Sequence, residues 1–174
     1  MIVMTPRIRK FALTVHITTS VAWIGAVIAY LALVITTMKS QDTQMVRSAF
    51  LAMEPITWFA LVPLSFTSLL TGLVMALGTP WGLFRYYWVL AKLILTVLAT
   101  IVLLSYTQTV SFLAAIARNP NSDLTGIGGG SGLLHAGGGL VVLILIMILS
   151  VYKPQGMTRY GWRKQQEKRK KSQI

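Results

Sequence analysis

Of the histidine, lysine, arginine, aspartate and glutamate side chains in this chain, only His16, Lys92 and His135 stand clearly within long apolar stretches. His16 lies in "LTVHITTSVAWIGAVIAYL", Lys92 in "WVLAKLILTVLATIVLLSY" and His135 in "GLLHAGGGLVVLILIM", while Glu54 sits at the head of the stretch that starts at Pro55. An ionisable group is expensive to keep in an apolar span, so each is a functional candidate. A neutral imidazole is a nitrogen ligand or a proton carrier, and a lysine at the same depth offsets a carboxylate. The sequence has no cysteine, which removes disulfides, thiolate metal ligands, iron–sulfur clusters and thioether haem attachment.

Spacing says which of these groups can meet. At 3.6 residues per turn, His16, Thr19, Ser20, Trp23, Val27 and Tyr30 share one helix face, with Gly25 opposite. His16 follows Lys10 by about 9 Å of helix rise and Lys92 follows Arg85 by about 10 Å, so the two are expected at one level. Met147, before Lys153, reaches about the same depth on the last helix. His135 lies about 27 Å from that edge, which puts roughly 18 Å of height between the two histidines and rules out a single iron held by both. Glu54 is the expected neighbour of His135, as a hydrogen-bonded structural pair, the start of a proton relay or half of an outer metal or haem site.

The elements that position these residues are legible from composition. The 174 residues are 55% hydrophobic and 11% charged, against about a quarter charged in soluble domains. Four stretches reach the ~20 apolar residues that cross a hydrocarbon core: Phe11 to Met38, Pro55 to Gly78, Tyr86 to Ala117 and Gly132 to Tyr152. The first is too long for a signal-peptide core of about 7–15 residues and is expected to be retained. The expected fold is all-α, an integral membrane antiparallel four-helix bundle over residues 1–152, followed by a basic tail over 153–174.

The formal net charge of +12 is unevenly spread. Twelve basic residues fall in the termini and the inner turn, three in the outer connections (Lys39, Arg47, Arg118), and Lys92 lies within a span. That asymmetry is the positive-inside pattern and predicts both termini in the cytoplasm. The tail is expected to meet anionic lipid rather than nucleic acid. In the connections, Met45, Ala49, Phe50 and Met53 predict a short interfacial helix ahead of a span starting at Pro55, and Pro63 predicts a kink relieved by Ser65, Thr67 and Ser68. Trp81, Tyr86, Tyr87 and Trp88 form the expected aromatic belt of the inner turn.

The glycine-rich run "GIGGGSGLLHAGGGL" fits neither nucleotide-binding glycine pattern, and no strand precedes it. Gly128, Gly132 and Ala136 instead follow the small-xxx-small spacing of close helix packing, which also offers a route to a homo-oligomer. Gly138 and Gly139 continue the His135 ridge, where the absent side chains would equally admit a flat ring.

His16, Trp23 and Gly25 as "H-x6-W-x-G", with Trp88, Lys92 and Leu93 as "W-x3-K-L", resemble the four-helix bacterial membrane proteins that include HemJ-type protoporphyrinogen oxidases and CopD-type copper-resistance domains. The strings "SLLTGL", "TPWGLFRYYWVLAKL", "GLLHAGGGL" and "VYKPQGMTRYG" resemble more closely an uncharacterised group of predicted integral membrane proteins. The oxidase resemblance implies haem b, with His16 and Lys92 at the matching essential positions. The basic, aromatic segment that follows the tryptophan in those enzymes is replaced here by "AYLALVITTMK", without an arginine for the porphyrin carboxylates. The copper resemblance implies a methionine and histidine cluster that the sequence lacks.

These readings converge on a haem b or porphyrin-associated redox protein of the bacterial cytoplasmic membrane. His16 is the expected iron ligand, Trp23 and Met147 are cofactor contacts, Lys92 is the partner of a propionate or substrate, and an electron partner shares the membrane. A non-enzymatic accessory or scaffold protein is the alternative. A small metal or transport module built on Glu54 and His135 is the third.

Overall fold

The computed structural model describes residues 4–79, 82–124, 126–127 and 129–171. Among them are six helices and no strand: α1 (Pro6–Lys39), α2 (Thr43–Ile56), α3 (Val62–Gly78), α4 (Tyr87–Arg118), α5 (Gly129–Tyr152) and α6 (Arg159–Lys171). A π-helical turn, Thr57–Leu61, joins α2 to α3. Four helical stretches are long and apolar enough to cross a membrane: Pro6–Lys39, Thr43–Gly78, Tyr87–Arg118 and Gly129–Tyr152. Large apolar side chains stand on their outward faces, among them Phe11, Phe59, Phe112, Leu134 and Val151. That is compatible with a multi-pass membrane protein, because such a surface would be unfavourable in water.

The stretches run antiparallel, each beside its chain neighbour, and α1 closes the ring against α5. Contacts at the two ends fix the directions. At one end Met4 N–H donates to the Gly78 carbonyl and Tyr87 N–H to the Gly156 carbonyl, both at 3.3 Å. At the other, Met38 packs on Gly129 and Arg118 pairs with Glu54. The α1 core stripe of Trp23, Val27, Tyr30 and Val34 follows the face expected from spacing, and Gly25 opposite it is exposed.

The second stretch departs from expectation. No separate interfacial helix precedes Pro55; the helix starts at Thr43, where the Asp42 carboxylate accepts from Gln44 N–H at 2.9 Å, and runs through Pro55. Two prolines eight residues apart each lack a ladder N–H, and the π-turn between them absorbs the mismatch, with Val62 N–H reaching back to the Thr57 carbonyl. Ser65 and Thr67 donate to the carbonyls of Val62 and Pro63, while Ser68 bonds across to Ser20 at 2.9 Å.

The tail differs too. After Lys153 the chain turns back, Thr158 N–H donates to the Arg85 carbonyl at 3.0 Å, and Thr158 Oγ1 accepts from Gly161 N–H at the start of α6. Part of the tail is therefore a helix docked on the turn between α3 and α4, whose Trp81 lies outside the described residues.

The small-residue ridge holds where it is described; Gly128 lies outside the described residues. Gly132 and Ala136 are buried, and a β-carbon on Gly132 would lie 3.3 Å from Val34 and 3.5 Å from the Tyr106 hydroxyl. At Gly137 a β-carbon would meet nothing within 4 Å. Gly132→Leu is expected to lower thermal stability in detergent by about 1–3 kcal/mol through overpacking, whereas Gly137→Ala is expected to gain up to about 1 kcal/mol from helix propensity.

Candidate functional site

Hydroxyl groups on these helices donate mostly to carbonyls one turn back. Thr71 Oγ1 lies 2.6 Å from the Thr67 carbonyl and 3.2 Å from that of Ser68. Two oxygens approach that closely only with a proton between them, so the single Thr71 proton is spent on the backbone. Its oxygen can then only accept, and what it accepts from is His16 Nδ1, at 3.0 Å. The proton on the imidazole is thereby placed on Nδ1, and Nε2 keeps its lone pair. That is the arrangement by which an outer partner orients a metal-ligating histidine. The ring also lies on Gly72, where a β-carbon would come within 3.1 Å of it.

Lys92 is held in the same way. Ser150 donates to the Ile146 carbonyl at 2.9 Å and accepts from Lys92 Nζ at 2.9 Å. The ammonium also sits 4.8 Å from the centre of the Trp88 ring, a cation–π contact, and lies within electrostatic range of His16. The two residues expected at one level are thus near one another, on α1 and α4. The fourth-helix residue at this level is Ser150 rather than Met147, whose side chain is on the exposed face.

His135 has other company. Its Nδ1 lies 2.8 Å from the Ser131 carbonyl, an oxygen without a proton, so Nδ1 again carries the hydrogen and Nε2 the lone pair. The ring stacks on Tyr106, with centroids 4.1 Å apart and planes inclined by 16°. Glu54, the expected neighbour, pairs instead with Arg118. A carboxylate beside a guanidinium is better compensated than beside a neutral imidazole. Val34 meets Gly132, which leaves the two histidines roughly 22 Å apart along the bundle, as the helix rise requires.

Between α1, the π-turn, α4 and α5 lies a cavity of about 370 Å³, many times the ~30 Å³ of a water molecule. Trp23 and Tyr30 line it from α1, Thr57 and Leu61 from the π-turn, Tyr106 from α4, and His135, Gly138 and Gly139 from α5. Residues of α4 from Leu95 to Val110 border it, so it extends roughly 22 Å along that helix. Added β-carbons on Gly138 and Gly139 would meet nothing within 4 Å. These glycines border open space, whereas Gly132 about two turns earlier holds α1 close.

Of the residues singled out by sequence, Trp23 and His135 share this cavity, His16 and Lys92 share the level near the chain termini, and Glu54 and Met147 stand apart from both. Tyr106 and the π-turn are the contributors that sequence reasoning missed; the paired prolines at 55 and 63 were the available signal. Among the described residues no group of three or more histidine, aspartate or glutamate side chains could hold a metal ion. No known protein family, curated protein or solved structure matches the chain.

The His16–Thr71 contact makes a stability prediction. A double-mutant cycle of His16→Phe and Thr71→Val, read by unfolding in detergent, is expected to give a coupling of about 0.6 kcal/mol and up to ~1.7, while His16→Phe with Ser150→Ala is expected to be additive.

Proposed function

We propose that this chain is a membrane redox protein associated with haem b or a porphyrin, with His16 as the nitrogen ligand. The supporting observation is the Thr71 hydroxyl: its proton goes to a backbone carbonyl, so it accepts from Nδ1 and leaves the His16 Nε2 lone pair for an iron. A haem needs one protein nitrogen, whereas zinc or copper centres need several ligands together, and among the described residues no such cluster exists. The donor set therefore fits a haem and fits a multi-ligand metal centre poorly. Lys92, within electrostatic range of His16, supplies the positive charge that offsets a propionate. Haem would supply one-electron chemistry here; this chain's own residues orient the ligand and balance its charge.

In this reading the bundle lies in a bacterial cytoplasmic membrane with both termini inside, on the strength of the asymmetric basic residues. The basic α6, docked on the inner turn, lies along the anionic leaflet. The electron partner is a membrane component.

The test is the absorption spectrum of gently purified protein, before and after adding haemin. A Soret band that persists in His135→Ala and disappears in His16→Ala is expected. Protein that stays colourless with haemin, or a band that depends on His135 instead, contradicts the assignment.

A further inference from the structure

Three side chains, two of them buried, bring polar atoms to the cavity that the haem reading leaves unused. Tyr30 is 4% exposed and Trp23 3%, both border the cavity, and neither the phenol O–H nor the indole N–H has a hydrogen-bond partner among the described residues. Leaving such donors unmade in an apolar interior is costly, so a pair beside one hollow points to an acceptor that enters it. The third atom is His135 Nε2, an acceptor fixed by the Nδ1 bond to Ser131. On the remaining wall Gly138 and Gly139 leave a flat, side-chain-free surface with nothing within 4 Å of an added β-carbon.

Apart from Thr57 and Tyr106 the rest of the lining is aliphatic, and three of its residues, Leu98, Val102 and Leu134, also lie on the outward surface of the bundle. The hollow therefore communicates sideways with whatever surrounds α4 and α5. Its length of roughly 22 Å along α4 exceeds that of a single ring. A ligand that satisfies all of this is lipid-soluble, has a flat ring with carbonyl oxygens to accept from Tyr30 and Trp23, and trails an apolar chain. Its reduced form would carry a hydroxyl that can donate to His135 Nε2.

We propose that this cavity is a binding site for a lipid-soluble quinone or its quinol, with the ring against Gly138 and Gly139 and the chain leaving between α4 and α5. The site rests on the bundle lying in a membrane but not on haem at His16, and only binding is assigned to it.

The experiment is a titration of full-length protein in phosphatidylcholine nanodiscs with decylubiquinone, and separately with a short-chain menaquinone, read by tryptophan fluorescence and repeated on haem-free His16→Ala protein. Saturable quenching by at least one quinone is expected in both proteins. Gly139→Leu fills open space without a clash and is expected to raise Kd about tenfold or more. Tyr30→Phe is expected to raise it roughly fivefold, the loss of one hydrogen bond, and serves alone if the leucine variant does not fold. Quenching that never saturates with either quinone, or a wild-type Kd in the folded variants, overturns the proposal. So does saturable quenching by brominated phosphatidylcholine that neither quinone relieves, which would assign the cavity to acyl chains.

Discussion

A hydroxyl on an apolar helix has one proton, and in this bundle the nearest place to spend it is the carbonyl one turn back. Thr71, Thr96, Thr100 and Ser150 all do so. Each such bond costs the helix little and turns the hydroxyl oxygen into an acceptor with a fixed direction. His16 and Lys92 then have only one way to bond with these oxygens, by donating. The chemistry available to both side chains is thus set by backbone carbonyls on α3 and α5, at second hand.

The same constraint divides the molecule into two polar levels. Near the termini, His16 and Lys92 are held by threonine and serine, and the Lys92 ammonium also lies over the Trp88 ring. Further along, His135 spends its Nδ1 proton on its own helix and stacks on Tyr106. α1 and α4 stand diagonally across the ring, and the cavity lies between them, bordered by the π-turn and the glycine face of α5. Two local departures from regular helix packing, at the prolines and at the glycines, thus border the cavity.

Much of this was legible from the chain. Apolar length located the four long helices, and the 3.6-residue period identified the inward face of α1. A rise of 1.5 Å per residue put His16 and Lys92 at one level and kept the histidines apart. What was not legible depended on how neighbouring helices are rotated and capped. Glu54 was assigned to His135 by depth alone, but Arg118 lies nearer and carries the charge that a carboxylate needs. The C-terminal end of α4 is closed by Arg47, which donates to the carbonyls of Ala117 at 2.6 Å and Pro120 at 3.1 Å; nothing in local spacing announces that contact across seventy residues. Pro55 looked like a helix start because proline favours the first turn, yet a π-turn can carry a helix past it. The glycines were ambiguous because identical spacing serves close packing at Gly132 and open space at Gly139.

The central claim is that backbone-directed hydrogen bonds place the imidazole proton on Nδ1 and present Nε2 as the free nitrogen. It is tested most directly by the ¹⁵N spectrum of histidine-labelled protein in bilayers, with His16 and His135 assigned through His16→Phe and His135→Phe. The account predicts that in each ring Nδ1 is the protonated nitrogen and Nε2 the unprotonated one, and that Thr71→Val removes this preference from His16 while leaving His135 unchanged. A proton found on Nε2 of His16 in the unsubstituted protein contradicts it.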